Sequence, residues 1–400
     1  MEPTDRETPQ EAEKRPIPPA AEVTMDRAAP STSSPSLASL DSQPFETTML
    51  LRVLMGPQGL RAGWSVLLFE VLTLFAASIM GLIFLRLNLI DLKADFSPKE
   101  TFFSELVQVL AIMAAAAIVA LIERRRGNLL AFNLLGPRRL PHFFEGLAAG
   151  FVALSLLIGA LHWGGWLQFG PTALSGRQIF TYAGVWGAAF LLVGCAEEGM
   201  CRCYLLFTLA RGLNFWWALG TVGAICLVLL LWGSGDSIRG VYAVAAVGLV
   251  PCLLLHLNKA GSSGFWQAGW VTSTVFGFVH TGNTGENWIG IIATAAIGFV
   301  FVVSVRVTGS AWWAIGCHAA WDWAETYFYG AADSGNVAVG HYLSVTPAGP
   351  VLWSGGTDGP EGSVLVLAAV LLLLLLLVAV YGRRSHASLA ASAAAAQIAG

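Results

Sequence analysis

Phe190-Leu191-Leu192-Val193-Gly194-Cys195-Ala196-Glu197-Glu198-Gly199-Met200-Cys201-Arg202-Cys203-Tyr204-Leu205-Leu206-Phe207 places two adjacent glutamates and an arginine inside an otherwise apolar run. The run covers 181–210. That is longer than one simple crossing of a hydrocarbon core about 30 Å thick, so the helix is expected to tilt or to continue beyond it. An ionised carboxylate in hydrocarbon is costly, so these side chains should face a cavity or a partner. Glu198 and Arg202 are four residues apart and share a helix face, and a pair there lowers the cost of burying both charges. Glu197 points roughly 100° away from Glu198. One carboxylate is thus available to a reaction centre while its neighbour pairs with Arg202. A structural Glu–Arg pair is the plainer alternative, but it needs only one glutamate.

Similar apolar runs recur on both sides of this stretch. Helices are expected near 64–85, 104–122, 143–163, 181–210, 214–232, 241–257, 265–282, 288–305, 311–329 and 363–381. Hydrophobic residues make up 56% of the chain and charged residues 12%, against about 25% charged in soluble domains. Backbone groups in lipid must pair internally, and these runs are continuous and rich in Leu and Ala. They therefore read as helices and not as the short alternating strands of a barrel. The expected fold is an all-α polytopic membrane protein with about ten transmembrane helices. Basic residues concentrate at alternate junctions, from Arg61 and Arg124-Arg125-Arg126 to Arg383-Arg384. That bias predicts cytoplasmic termini.

The organisation expected is a disordered tail at 1–48 rich in Pro, Ser and Thr, an N-terminal transmembrane region at 49–180 and a core at 181–329. An external loop at 330–362, a transmembrane helix at 363–382 and a tail at 383–400 follow. No cleaved secretory signal is expected. The net charge of −3 comes with no basic block suited to nucleic acid. None of the six cysteines forms a CxxC pair, so they read as small buried side chains and not as a disulfide framework or thiolate zinc site.

Two further motifs interrupt apolar segments. Phe276-Gly277-Phe278-Val279-His280 places His280 on the Phe276 face, and Gly277 permits close helix approach. His318-Ala319-Ala320-Trp321-Asp322 places His318 and Asp322 on one face. Each histidine alone reads most simply as structural. With the glutamates, the set holds a candidate base, two imidazoles and an orienting carboxylate, which is enough to activate a water. Alternatively Glu197, His280 and His318 would bind zinc, leaving one position for water. HExxH is absent, and GxSxG-like fragments lack a strand–turn–helix context. Trp312, Trp313, Trp321 and Trp323 read as interfacial or packing residues. His256 and His341 read as non-catalytic, Asn283 as a residue bordering the cavity, and Glu286 and Glu325 as weaker candidates.

The three motifs, in this order, resemble the CPBP intramembrane protease family, also called the CAAX protease and bacteriocin-processing or Abi family. Its pattern is EExxxR, then FxxxH, then HxxxN or a related residue. The matching positions are Glu197, Glu198 and Arg202; Phe276 and His280; and His318 with Asp322. The resemblance covers 181–329 best. Arg61–Trp64 and the later WDW, FYG and GPEGS segments resemble a bacterial subgroup, which implies a multi-pass protein of a bacterial inner or plasma membrane. The resemblance also implies a CAAX-protease-like helical core and an endopeptidase acting on a membrane-associated peptide or protein in the lipid bilayer. Glu197 would activate the water with help from His280, and His318 and Asp322 would stabilise the oxyanion or position the water. Glu198, Arg202 and Phe276 would organise the site. A glutamate mechanism requires no cofactor; the metal-dependent alternative takes zinc. A prenylated substrate does not follow from the resemblance.

Two departures stand out. Asp322 occupies a position where the family commonly has Asn, and an ionised aspartate cannot donate a hydrogen bond. It is therefore expected to orient His318 or to carry a proton itself. The step from Glu198 to His280 is also long, and a two-helix insertion near 214–257 would account for it. Two other functions remain compatible with buried Glu and His: a non-catalytic membrane chaperone or scaffold, and a proton-coupled transporter.

Overall fold

With no water in hydrocarbon to take up N–H and C=O groups, apolar segments satisfy their backbones as helices. The computed structural model describes residues 49–56, 59–91, 93–123, 138–233, 237–259, 263–283 and 285–382. The tails expected at 1–48 and 383–400, with Arg383 and Arg384, lie outside the described residues, as do Arg124, Arg125 and Arg126. A short helix α1 (Met49–Leu54) and a hairpin of β1 (Met55–Gly56) and β2 (Gly59–Leu60) lead into α2 (Ala62–Arg86). Then come α3 (Pro98–Ile122), α4 (Arg139–Trp163), strand β3 (Leu167–Phe169) and α5 (Arg177–Glu198). A π-helical segment, Gly199–Leu205, joins α5 to α6 (Leu206–Ala210). Helices α7 (Phe215–Trp232), α8 (Ser237–Leu257), α9 (Ser263–Val279), α10 (Trp288–Thr308) and α11 (Trp312–Asp322) follow. A second π-helical segment, Trp323–Tyr329, extends α11. Strand β4 (Val345–Pro347), α12 (Val351–Ser354) and α13 (Val366–Leu377) complete the described elements.

Each of the ten predicted apolar segments is helical, and the protein is an all-α polytopic membrane protein. Seven described helical stretches are long and apolar enough to cross a membrane, with α5 to α6 acting as one 34-residue span. Among the others, α13 is shorter, and α9 and α11 carry the polar motifs. Burial separates the helices by position. The most apolar stretch of α10 is 67% buried within the protein, against 11% for α2. Helix α10 is therefore central, and α2 presents Leu67, Val71, Leu74 and Phe75 outward.

Small residues set the closest packing. Apolar attraction between helices is weak in lipid, so close backbone approach provides much of the association. A Cβ on Gly146 or Gly150 of α4 would overlap the carbonyl oxygens of Trp313 and Cys317, and one on Gly316 of α11 would overlap that of Phe143. On the other flank, Gly194 of α5 faces the Ile315 carbonyl. Helix α11 is thereby clamped between α4 and α5, which fixes its motif face against the paired glutamates. Gly277 does the same for α9 against α10, since a Cβ there would stand 2.7 Å from the Ile291 oxygen.

The segment read as an external loop is tied back onto the helices. Strand β4 pairs antiparallel with β3, and Trp166 stacks on Trp353 with ring centroids 4.8 Å apart. The Val339 N–H donates to the Phe96 carbonyl at 2.9 Å. Asn287 caps α10, accepting from the N–H groups of Ile289 and Gly290, and its amide donates to the Gly362 carbonyl. These bonds bring 333–361 over one end of the helices that carry the motifs.

Substituting Gly150 with Val should force α4 and α11 apart and cost about 1–3 kcal/mol. The same change at Gly159, where nothing lies within 4 Å of an added Cβ, should leave stability nearly unchanged. Thermal unfolding of the two variants in detergent measures the contrast.

Candidate active site

Two of the three motifs sit where an α-helix passes into a π-helix. Glu198 is the last residue of α5 before Gly199–Leu205, and Asp322 is the last of α11 before Trp323–Tyr329. Such wide turns occur often at functional sites, because they re-aim side chains within a continuous helix. Here they set the Glu197-Glu198 pair opposite His318.

Glu198 and Arg202 are both wholly buried, and Arg202 Nε lies 3.1 Å from Glu198 Oε2. The other Glu198 oxygen stands 3.0 Å from His318 Nδ1. Arg202 is held between two aromatic faces, 4.6 Å from the Phe276 ring and 5.5 Å from that of Phe301. Gly298 makes room for it: a Cβ there would lie 2.6 Å from Nη2. This arrangement connects α5, the π segment, α9, α10 and α11.

Glu197 turns the other way and lines a cavity of about 310 Å³ with Phe276, His280, His318 and Asp322. Its Oε2 lies 3.7 Å from His318 Nε2, and Asp322 Oδ2 is 3.5 Å from the same nitrogen. A carboxylate or carbonyl oxygen only accepts, so each histidine's proton is assigned from its Nδ1 partner. His280 Nδ1–H donates to the Phe276 carbonyl at 2.8 Å, leaving the Nε2 lone pair of the neutral ring available. His318 Nδ1–H donates to Glu198, so Nε2 is the nitrogen facing Glu197 and Asp322. All seven residues singled out in the sequence are brought together: five line the cavity, and Glu198 and Arg202 stand behind it. Among the described residues, no three His, Cys, Asp or Glu side chains are grouped as a metal ion requires.

Sequence reading missed part of the wall. Glu105 of α3, Phe301 of α10, and Asp333 and Glu361 from the 330–362 segment also line the cavity. Glu105 carried the same signal as Glu197, a carboxylate inside an apolar run. Phe301 carried none, being one apolar residue among many. Trp321 is a buried cavity-wall residue whose indole N–H donates to Glu325 and Glu361. Asn283 borders the cavity. His341 bonds the Ala338 carbonyl, and His256 stacks on Phe215 with ring centroids 4.8 Å apart.

The fold and cavity define a polytopic helical membrane protein with a polar site buried among its helices. Residues 252–324 match the family model described as Rce1-like, type II CAAX prenyl endopeptidase Rce1-like. That match is consistent with the CPBP family and supports an intramembrane endopeptidase in general. The match includes Phe276, His280, His318 and Asp322 and begins well after the glutamate pair. No curated protein and no solved structure matches the chain.

Two variants should separate pairing from exposure. Glu198→Gln leaves the buried Arg202 without a counter-charge and should cost about 3–5 kcal/mol. Glu197→Gln, on a side chain 31% exposed, should cost little. Denaturant unfolding in detergent compares them.

Outside the spans, burial followed by the Asp358 and Glu361 charges pushes Glu286 up to about 9. Burial pushes Asp358 up to about 7, with Asp333 adding to it and the Asn287 N–H opposing it. The folded chain therefore holds these protons to higher pH than the unfolded chain does. Their contribution is full below the ordinary carboxylate range and is lost as pH rises through the raised values. Melting temperature should fall between about pH 5 and 9, and Glu286→Gln should flatten that slope.

Proposed function

We propose that this protein is an intramembrane endopeptidase that hydrolyses a peptide bond in a membrane-associated peptide or protein, using water activated by Glu197. One observation carries the reading: Glu197, His280, His318 and Asp322, from α5, the end of α9 and α11, border a single buried cavity, while Glu198 is occupied by Arg202. The Rce1-like match at 252–324 supports the same class.

Glu197 takes a proton from the water, and the water oxygen bonds to the carbonyl carbon as the carbonyl electron pair moves to oxygen. His280 accepts the water's second hydrogen at Nε2 and positions it. His318, oriented by Glu198 and Asp322, presents Nε2 to the cavity and, when protonated there, donates to the oxyanion. Asp322 acts through His318, because an ionised carboxylate beside the oxyanion would repel it. On collapse the carbon–nitrogen bond breaks, and the proton held by Glu197 passes to the leaving amine. The placement that goes with this reading is a bacterial inner membrane with both termini cytoplasmic. The substrate role is peptide or protein maturation, with the prenylated substrate of the family description among the peptides to be assayed.

Purified protein in nanodiscs should cleave such a peptide, and Glu197→Gln should lower turnover by about 10³-fold or more while remaining folded. Unchanged turnover in that variant would overturn the assignment. Activity that disappears with chelation and returns with zinc would replace the glutamate mechanism with a metal-dependent one. Peptide binding without cleavage would favour a scaffold or chaperone, and proton-dependent uptake after reconstitution would favour a transporter.

A further inference from the structure

Four candidate membrane spans end together, away from the catalytic cavity. There α2 begins at Ala62, α3 ends at Ile122, the α5–α6 span ends at Ala210 and α7 begins at Phe215. Side chains tie three of these ends. The Ser65 hydroxyl donates to Glu123, and the Arg211 guanidinium reaches Glu123 at 3.5 Å and Ser65 at 3.4 Å. Ends of spanning helices lie at the level of the lipid headgroups. Trp64 and Trp217 stand at these ends, both exposed, as tryptophans at a membrane interface do.

A groove of about 700 Å³ opens here between the β1–β2 hairpin, the start of α2 and the α6–α7 junction. Its walls are mainly apolar, with Leu60, Leu67, Leu209 and Leu213 among them. Leu67 and Trp217 in the wall are each more than half exposed, so the groove opens toward the surrounding lipid. Arg61 and Arg211 also line it, and among the described residues no Asp or Glu does. The two cations are not equally committed. Arg211 pairs with Glu123, whose side chain is 4% exposed. Arg61 is exposed, and among the described residues its guanidinium bonds only a neutral acceptor, the Arg52 carbonyl, at 3.1 and 3.2 Å. The groove therefore carries positive charge at headgroup level above an apolar wall. It shares no lining residue with the catalytic cavity.

We infer that this groove binds one anionic phospholipid. The lipid phosphate would sit against Arg61, with Arg211 adding to the field, and an acyl chain would run along Leu67 and Leu209. Any lipid tail suits the apolar wall, so the wall alone selects nothing. The arginines select the headgroup, because a planar guanidinium matches phosphate oxygens and basic pockets between spans favour acidic lipids. A zwitterionic lipid brings its own cation and neutralises Arg61 less well. Small residues keep the approach open: a Cβ on Gly63, beside Arg61 in the wall, would meet nothing within 4 Å. Arg61–Trp64, which the proposed reaction does not use, thereby gains a role. The inference is independent of the endopeptidase reading.

The test titrates full-length protein, delipidated in detergent, with phosphatidylglycerol or with phosphatidylcholine of the same acyl chains. Native mass spectrometry counts the bound lipid. Wild type should hold one phosphatidylglycerol about tenfold more tightly than phosphatidylcholine. Two variants locate the site. Arg61→Gln removes the uncommitted cation. Gly56→Asp sets a carboxylate beside it, since a Cβ on Gly56 would lie 3.5 Å from Arg61 Cγ, an ordinary contact. In each variant the preference should fall toward one, and thermal unfolding checks that the variant is folded. Should one fail to fold, the other still decides. Glycerol phosphate at matched concentration should not displace phosphatidylglycerol, because it lacks the acyl chain. Equal wild-type affinity for the two lipids overturns the site. So does a preference that persists in either folded variant. Displacement by glycerol phosphate would also overturn it, in favour of a site for free phosphate.

Discussion

A guanidinium buried among membrane helices needs a counter-charge, and Glu198 supplies it to Arg202 at 3.1 Å. The same carboxylate accepts from His318, and the guanidinium lies between Phe276 and Phe301. One ion pair therefore sets the spacing of α5, α9, α10 and α11. The rest of the site follows from it. With Glu198 occupied, Glu197 is the glutamate left to face the cavity, and His318 is left with Nε2 toward Glu197 and Asp322. A buried pair of this kind contributes little net stability compared with apolar packing, but breaking it is costly. Its value here lies in specifying one arrangement of the side chains.

Backbone contact maintains that arrangement. Gly146, Gly150 and Gly316 bring α4 and α11 together more closely than any side chain would allow, and Gly194 brings α5 to the other flank of α11. Gly298 leaves the space that Arg202 occupies. The π-helical segments after Glu198 and Asp322 widen each helix just beyond the motif residue. Rigid helices, small contact residues and local π turns together hold polar groups within a few ångströms inside an apolar bundle, the kind of support a catalytic set requires.

The segment between α11 and α13 closes one end of the cavity and changes its charge. Its ties to Phe96, Trp166 and Asn287 carry Asp333 and Glu361 inward. The glutamate–histidine cluster and the two loop carboxyl groups thus share one space but come from different parts of the chain.

Much of this was legible in the chain itself. Apolar length identifies the helices because lipid offers no other way to satisfy the backbone. Glu197, Glu198, Arg202, His280, His318 and Asp322 were visible because ionisable groups are conspicuous in apolar runs. Helical spacing also paired Glu198 with Arg202 and His318 with Asp322, since each pair is local. Spacing had no means of showing that helices far apart in sequence converge on one cavity, or that His318 joins Glu198 across 120 residues. Phe301 and the α4–α11 glycine contacts were invisible for the same reason: an apolar or small residue acquires a role only from what packs against it. The sequence alone determined a helical membrane protein and the polar residues it would have to accommodate. Tertiary structure decided which residues from distant helices meet at the cavity and how the loop surrounds it, because those outcomes depend on distances between helices.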